Sequence, residues 1–529
     1  MMRVAILSRR QALLAALALA IAACASDVPE AAPAGEAPDA AAGPTGATFR
    51  IAVGVDIDTF DPVMQTTGTV GNMVEYLVEP LMRMDEDGVV HPHLVVDWVV
   101  SDDGLTYTFD LKQGVVFHDG TPFDAEAVKF TIERLLDPEL ASSGRILVES
   151  IAEVETISDH TIELRLSEPH PSLIAALAGR PTGILSPTSF EEHGNAYDAY
   201  VRPVGTGPYV FGEYRAGEKL TVERFDDYHA ELPYYSTVEF LILPEAATRV
   251  SRLRAGQADL IILPPVSDLP ALEADDRVEV LLAPSNRLIY VAINNNEIED
   301  VRVRRALNHA VDKDAIIESV LFGLADPLDA PVHSSVFGYC PAGRYDYDPD
   351  LARDLLADAG ADDLTLQMIA PTGRYLQDTE VAQSVVGFLA EVGVEASLQT
   401  MDWPAYIAQV TAAAEEHEHE LHMLGWATGF PDSLIGMMPF ETRHQPPGGP
   451  GSAFYSNPEV DALLERAATE IDVDVRADLY CKAGTRIWEE APWIFLYSQR
   501  FPIVYSADVT NVSFRPNDTF SAIYAHPVG

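Results

Sequence analysis

Cysteine is scarce in this sequence, with 3 in 529 residues. No group of them has the spacing of zinc ligands, which excludes a Cys-based metal site. Positive charge is also in short supply: 34 Lys and Arg stand against 82 Asp and Glu, for a formal net charge of −48. The few basic residues are scattered, so no patch could track a phosphate backbone, and nucleic acid is excluded as a partner. After the first 23 residues no apolar run is long enough to cross a bilayer. The sequence also lacks a GxSxG nucleophile elbow and a Walker A loop. What it has is 47% hydrophobic and 9% aromatic residues, ample for folded cores and against wholesale disorder. The length predicts two or three domains.

The N-terminus has its own chemistry. Arg3, Arg9 and Arg10 form a positive segment, Ala12 to Ala20 an apolar one, and Ile21-Ala22-Ala23-Cys24 closes it with small residues before a cysteine. This is the pattern of a secretory signal over residues 1–23, too short to be a spanning anchor. Its ending resembles the lipobox of bacterial lipoproteins, which implies that the Cys24 thiol is acylated and becomes the first mature residue. Ser8 to Leu13 also resembles a twin-arginine export motif. Cleavage would remove three Arg and no acid, taking the net charge from −48 to −51. Residues 24–48 are Ala, Pro, Gly, acidic and small polar residues with Val28 as the one larger apolar side chain, a flexible tether. A 24-residue linker of this type spans on the order of 25–30 Å. The expected state is a body anchored to a membrane without crossing it.

From Phe49 the pattern changes. Phe49–Val55, Thr106–Leu111, Thr161–Leu166, Lys219–Arg224, Val238–Leu243 and Leu288–Asn294 read as strands. Asp124 is placed to cap a helix that Asp137-Pro138 stops. Further helices are expected at Val301–Phe322, Pro349–Ala359, Asp378–Val392, Trp403–Ala412, Pro458–Ile471 and Asp474–Ala491. A β-rich first part and an alternating second part predict an α/β protein of more than one lobe. Cys340 and Cys481 lie in the exported part, where a bridge and two buried thiols both remain open.

Two segments invite a site and fail their templates. His417-Glu418-His419-Glu420-Leu421-His422 is not HExxH, because Leu421 stands four residues after His417. With Glu415 and Glu416 it reads as a solvated, charged loop before the strand Leu421–Trp426, with adventitious divalent-metal binding as the alternative. Gly205-Thr206-Gly207-Pro208 has a proline where a phosphate loop needs an amide donor. Its glycines read instead as tight backbone turns. With 82 acids, carboxylate pairs carry no information about catalysis. No catalytic residues, cofactor or metal site are expected.

Several long segments are specific. Trp98 to Phe109 with Phe117-His118-Asp119-Gly120-Thr121-Pro122, Pro203 to Tyr209, Glu245 to Arg249 with Gly256 to Asp259, Asp300 to Asp312, Gly373-Arg374-Tyr375, Gly425-Trp426 with Pro431-Asp432, and Asn457 to Asp461 occur in one order. This series resembles the periplasmic solute-binding proteins of peptide-class ABC importers, solute-binding family 5, which bind dipeptides, oligopeptides, glutathione or nickel. The resemblance runs from about Phe49 to the C-terminus. It implies a two-lobed periplasmic-binding-protein fold with an extra β-rich subdomain inserted in the first lobe. Mapped onto this chain, lobe I is 49–86, 201–283 and 486–529, the insert is 87–200, and lobe II is 284–485.

The same resemblance implies a binding component of an ABC importer that captures a peptide or peptide-like solute and passes it to permease subunits driven by a cytoplasmic ATPase. It also implies a monomer held in the cell envelope on the extracytoplasmic side. The alternatives are a metal chelate or oligosaccharide as ligand, or a solute receptor or chaperone. Arg374, Tyr375, Trp426, Thr428, Gly429 and Asp432 are the expected ligand-binding residues. An arginine suits a carboxylate by a two-pronged contact, and the aromatic with a Gly-rich strand end supplies an apolar wall and backbone donors. Peptide binders of the family commonly carry an Asp for the ligand's α-amino group where this chain has Gly429.

Overall fold

A computed structural model describes residues 47–65, 67–140, 142–191 and 202–529. The leader, Cys24 and nearly all of the tether lie outside these residues. The backbone of the molecule is one mixed sheet of eleven strands. Its spatial order is Glu395–Met401, Thr365–Pro371, Leu421–Trp426, Val278–Ile293, Trp493–Ser506, Leu260–Ile262, Thr48–Val53, Thr237–Ile242, Lys219–Arg224 and Tyr209–Arg215, with Ala325–Pro327 alongside Trp493–Ser506.

Two long antiparallel strands, Val278–Ile293 and Trp493–Ser506, join the halves of this sheet. Val278–Pro284 pairs with Arg500–Ser506, and Leu288–Ala292 pairs with Trp493–Ser498. Between these runs the register shifts, at Pro284–Leu288, where proline cannot donate to the ladder. The expected strand Leu288–Asn294 is therefore only the second half of a strand of 16 residues. Trp493–Ser506 gives no alternation in the sequence because nearly all of it is buried on both faces.

A separate four-stranded antiparallel sheet, in the order Val95–Val100, Thr106–Leu111, Thr161–Leu166 and Ile151–Ser158, packs under the helix Ala125–Leu136. Asp124 caps that helix by accepting from the Ala127 N–H at 3.1 Å. Asp300, Asp312, Asp348, Asn457 and Asp472 cap five others, which places part of the acid excess where helix N-termini favour negative charge. The helix expected over Val301–Phe322 is two helices, Val301–Ala310 and Lys313–Ser319. Val311 is extended, and the Asp312 carboxylate accepts from Ala315 N–H, starting a new helix instead of continuing the old one.

Gly205 and Gly207 are not at left-handed turns. A Cβ on Gly205 would stand 2.2 Å from the Leu77 carbonyl oxygen, and one on Gly207 2.7 Å from that of Tyr76. Glycine is needed there because two backbones touch. Cys340 and Cys481 form a disulfide that ties the loop after Ala325–Pro327 to the helix Val473–Glu490. The segment Phe430–Met438 packs Phe430, Ile435 and Met438 into the core of the four-stranded subdomain, so the second half of the chain is closed onto the first.

Candidate functional site

Arg374 follows the strand Thr365–Pro371 in a turn that Asp378 organises. The Asp378 carboxylate accepts from the backbone N–H groups of Gly373 (3.2 Å), Arg374 (2.7 Å), Tyr375 (3.1 Å) and Thr379 (2.9 Å). Gly373 supplies the positive φ of +76° that the turn requires. With its nearest acid committed to backbone, the Arg374 guanidinium forms no ion pair among the described residues. It lies 5.0 Å from the Tyr375 ring centre and 4.9 Å from that of Trp403, and its Nε is buried without a partner. Burial lowers its pKa from the ordinary arginine value. A cation held by two aromatic faces with unspent donors has the chemistry to take a carboxylate.

Tyr375 is buried, and its Oη accepts from the Gly425 N–H at 3.0 Å. A Cβ on Gly425 would lie 2.7 Å from the Tyr375 ring, so the Gly-Trp pair owes its glycine to this approach. Trp426 donates its indole N–H to the Ile435 carbonyl at 3.0 Å and packs between two cores. Thr428 is held by Asn286, whose Nδ2 donates to its Oγ1 at 2.6 Å. The Gly429 carbonyl accepts from Asn517 Nδ2 at 2.9 Å, while the space beyond its Cα is open.

Asp432 is not free for a ligand. It caps the short helix Ser433–Gly436 through Leu434 N–H, and its other oxygen accepts from Ser172 Oγ at 2.8 Å and Arg476 Nη2 at 3.1 Å. Its role is a clasp between the four-stranded subdomain and the second half of the chain. Both its oxygens are thus engaged within the protein where the sequence pattern predicts a ligand contact.

Arg374 has charged neighbours that the sequence pattern does not reveal. Arg287 pairs with Asp518, both nearly fully buried, and donates Nη1 to the Gly425 carbonyl at 3.2 Å. Ser285 and Arg287 share the Asp518 carboxylate. Arg180 donates to Asn72 Oδ1 at 2.9 Å and stands 3.5 Å from Glu75, which Arg515 also pairs. Burial works against Glu75 ionising, but Arg515 and Arg180 hold it below the usual carboxylate range. Arg287 and Asp518 thus stand beside Arg374, while Arg180 and Arg515 share Glu75, a local concentration of arginine in a chain whose net charge is −48. These residues come from positions 75, 180, 287, 374, 515 and 518, and only folding assembles them. A partly open cavity of about 40 Å³, with room for water, lies beside Glu75, Arg180 and Arg515.

Glu79 and His93 line the same cavity, and with His229 they bring three metal-ligand atoms within 4.8 Å of one another. Their protons are already placed. Lys112 Nζ donates to His229 Nδ1 at 3.1 Å, which puts the ring proton on Nε2, facing Glu79 at 2.8 Å. His93 at 2.7 Å, Tyr228 at 2.7 Å and Thr206 at 2.9 Å fill the remaining lone pairs of Glu79. Burial opposes the charge, but the hydrogen bonds from His229 and His93 keep Glu79 ionised far below its usual range. The donor set is spent on a hydrogen-bond hub that joins the four-stranded subdomain to the large sheet.

The comparisons agree with this architecture. Residues 89–445 match the family described as bacterial extracellular solute-binding proteins, family 5 Middle. The glutathione-binding protein GsiB of Pectobacterium atrosepticum is 30% identical over 476 residues, covering 89% of this chain and 92% of that protein. GsiB of Escherichia coli K12 is 29% identical over the same length, 89% of this chain and 93% of that one. Among solved structures, a dipeptide-binding protein from Pseudoalteromonas sp. SM9913 in complex with Met-Leu superposes with a TM-score of 0.84 at 25% identity, over 91% of this chain and all of that one. The periplasmic binding protein DppA of Helicobacter pylori, in complex with the peptide STSA, gives 0.82 at 24% identity over 91% and 98%.

Proposed function

The chain belongs to the bacterial extracellular solute-binding proteins of family 5, the binding components of ABC importers, and from that premise we propose that it captures an anionic peptide or peptide-like solute by its carboxylates. It is a binding component and not an enzyme. The observation that carries the proposal is Arg374, a buried guanidinium with no ion-pair partner among the described residues, beside the Arg287–Asp518 pair. Desolvating one carboxylate against such a group is worth about 2–5 kcal/mol by truncation. The GsiB relatives are named for glutathione, a peptide with two carboxylates and one amine, which suits an excess of positive charge. Gly429 supports the same chemistry, because open space stands where an amine-holding acid would project.

The lobes are assigned as 49–86, 201–283 and 486–529 for the first, with 87–200 inserted, and 284–485 for the second. Val278–Ile293 and Trp493–Ser506 serve as the hinge. Tyr375, Trp426, Thr428 and Gly429 line the second lobe's side of the ligand space, with Tyr375 and Gly425 orienting Arg374 rather than touching charge. The signal, the acylated Cys24 and the tether hold a monomer at the extracytoplasmic face of a membrane, beside its permease.

Titration calorimetry with a series of capped peptides tests the proposal. Amidating the C-terminus should cost much more affinity than acetylating the N-terminus. Arg374→Ala should weaken binding by roughly tenfold or more, each factor of ten being about 1.4 kcal/mol. Equal tolerance of both caps, or loss only on N-acetylation, would overturn the carboxylate assignment.

A further inference from the structure

The acidic, histidine-rich segment before the strand Leu421–Trp426 is not the solvated loop that its composition predicts. Glu415, Glu416 and Glu418 are exposed, but His419 and His422 turn inward and are 3% and 1% exposed, with His417 half-buried between them. The three rings gather together. Their centres are 4.8 Å apart for His417 and His419, 5.3 Å for His419 and His422, and 6.4 Å for His417 and His422. Each presents a buried ring nitrogen with no hydrogen-bond partner: Nδ1 of His417, Nε2 of His419 and Nδ1 of His422.

The opposite nitrogens say what form these atoms take. His417 Nε2 lies 3.1 Å from the Ala412 carbonyl, which can only accept, so Nε2 carries the proton and Nδ1 an unused lone pair. His422 Nε2 lies 2.8 Å from Ser452 Oγ, which can take its proton in the same way. Such second partners are what orient metal-bound imidazoles.

We propose that His417, His419 and His422 bind one late first-row divalent cation of the Zn²⁺ class, outside the solute-binding site. With metal–nitrogen bonds of about 2.0–2.1 Å, three imidazoles on a tetrahedral ion have ring centres roughly 5 Å apart. The observed spacings bracket that value. The three donor atoms do not all lie within 4.8 Å of one another, so binding draws at least one ring inward. His417, on the half-buried approach, is the one with room to move. The exposed Glu415, Glu416 and Glu418 in the same segment add negative charge that attracts a cation. His422 is four residues before Trp426 on one strand, about 13 Å away at strand rise, so the ion would not enter the ligand space. Soft-leaning nitrogen donors favour Zn²⁺ over Mg²⁺ or Ca²⁺.

The test uses untagged mature protein dialysed against ZnCl₂ in excess MgCl₂, so that surface carboxylates are masked. One Zn²⁺ per chain should be retained and should raise the melting temperature. His417→Gln should lower Zn²⁺ affinity by roughly tenfold or more and abolish that rise, while melting normally without metal. Because His419 and His422 are buried and their loss endangers the fold, Co²⁺ in the unaltered protein gives the second measurement. Tetrahedral nitrogen ligation produces strong visible bands that octahedral carboxylate binding does not. Absence of retained Zn²⁺, a weak octahedral Co²⁺ spectrum, or full retention by His417→Gln would each overturn the site.

Discussion

At the level of single residues, Gly429 and Cys24 make the sharpest claims. A Cβ on Gly429 meets nothing within 4 Å, and its φ is not in the left-handed region, so Gly429→Asp should fold without loss. The new carboxylate would stand where peptide binders of this family hold an α-amino group. It should raise affinity for peptides with a free N-terminus relative to their acetylated forms. A calorimetric series showing no change in that preference would mean that position 429 does not face the ligand. Cys24→Ser should release the protein from the membrane fraction or leave its signal uncleaved. A processed product still tightly bound to membranes would reject acylation.

At the level of elements, the clasp and the disulfide are distinguishable from ligand contacts by what they change. Asp432 joins Ser172 of the four-stranded subdomain to Arg476 of the helix Val473–Glu490, and Arg476 lies 4.2 Å over the Phe337 ring. Asp432→Ala leaves a buried guanidinium uncompensated and should cost about 3–5 kcal/mol of stability. Solute affinity, measured well below melting, should fall less than it does for Arg374→Ala. An unchanged melting temperature with lost affinity would restore Asp432 to the ligand. The Cys340–Cys481 bridge closes a loop of 141 residues. Chain entropy puts its contribution at about 2–5 kcal/mol. Reduction, or Cys340→Ser with Cys481→Ser, should lower the unfolding free energy by that amount and so move the denaturant midpoint down, and an unmoved midpoint would argue against the bridge.

For the whole molecule, charge sets two further expectations. A chain at −48 repels itself in dilute buffer, so its melting temperature should rise from low to molar NaCl. A flat or falling curve would count against this. Acid acts through buried histidines. Burial pushes His170 and His444 down to about 4. An unfolded histidine titrates near 6.5, so between about pH 6.5 and 4 the unfolded chain binds more protons and stability falls as pH falls. Each contributes about 2 kcal/mol of loss between pH 7 and 5 by linkage. His444→Gln should flatten the melting-temperature profile over this window. An unchanged profile would mean that His444 is not buried neutral.

The sequence by itself determined the family, the helices with an Asp or Asn cap and the one-faced strands, because these rest on local pattern: a cap beside its helix, alternation on a one-faced strand, a motif in order. Helix Pro349–Ala359 and strand Thr161–Leu166 are legible for that reason. Trp493–Ser506 was not, since a strand covered on both faces has no period to read. Tertiary structure alone decided that Asp432 clasps instead of binding, and that Gly205 and Gly207 serve a backbone contact. It alone turned an apparently solvated run inward as three neighbouring imidazoles, set Arg287 and Asp518 beside Arg374, and brought Arg180 and Arg515 together on Glu75. The reason is sequence distance. Charge compensation and burial depend on which remote segments meet, and no window of neighbouring residues contains that information.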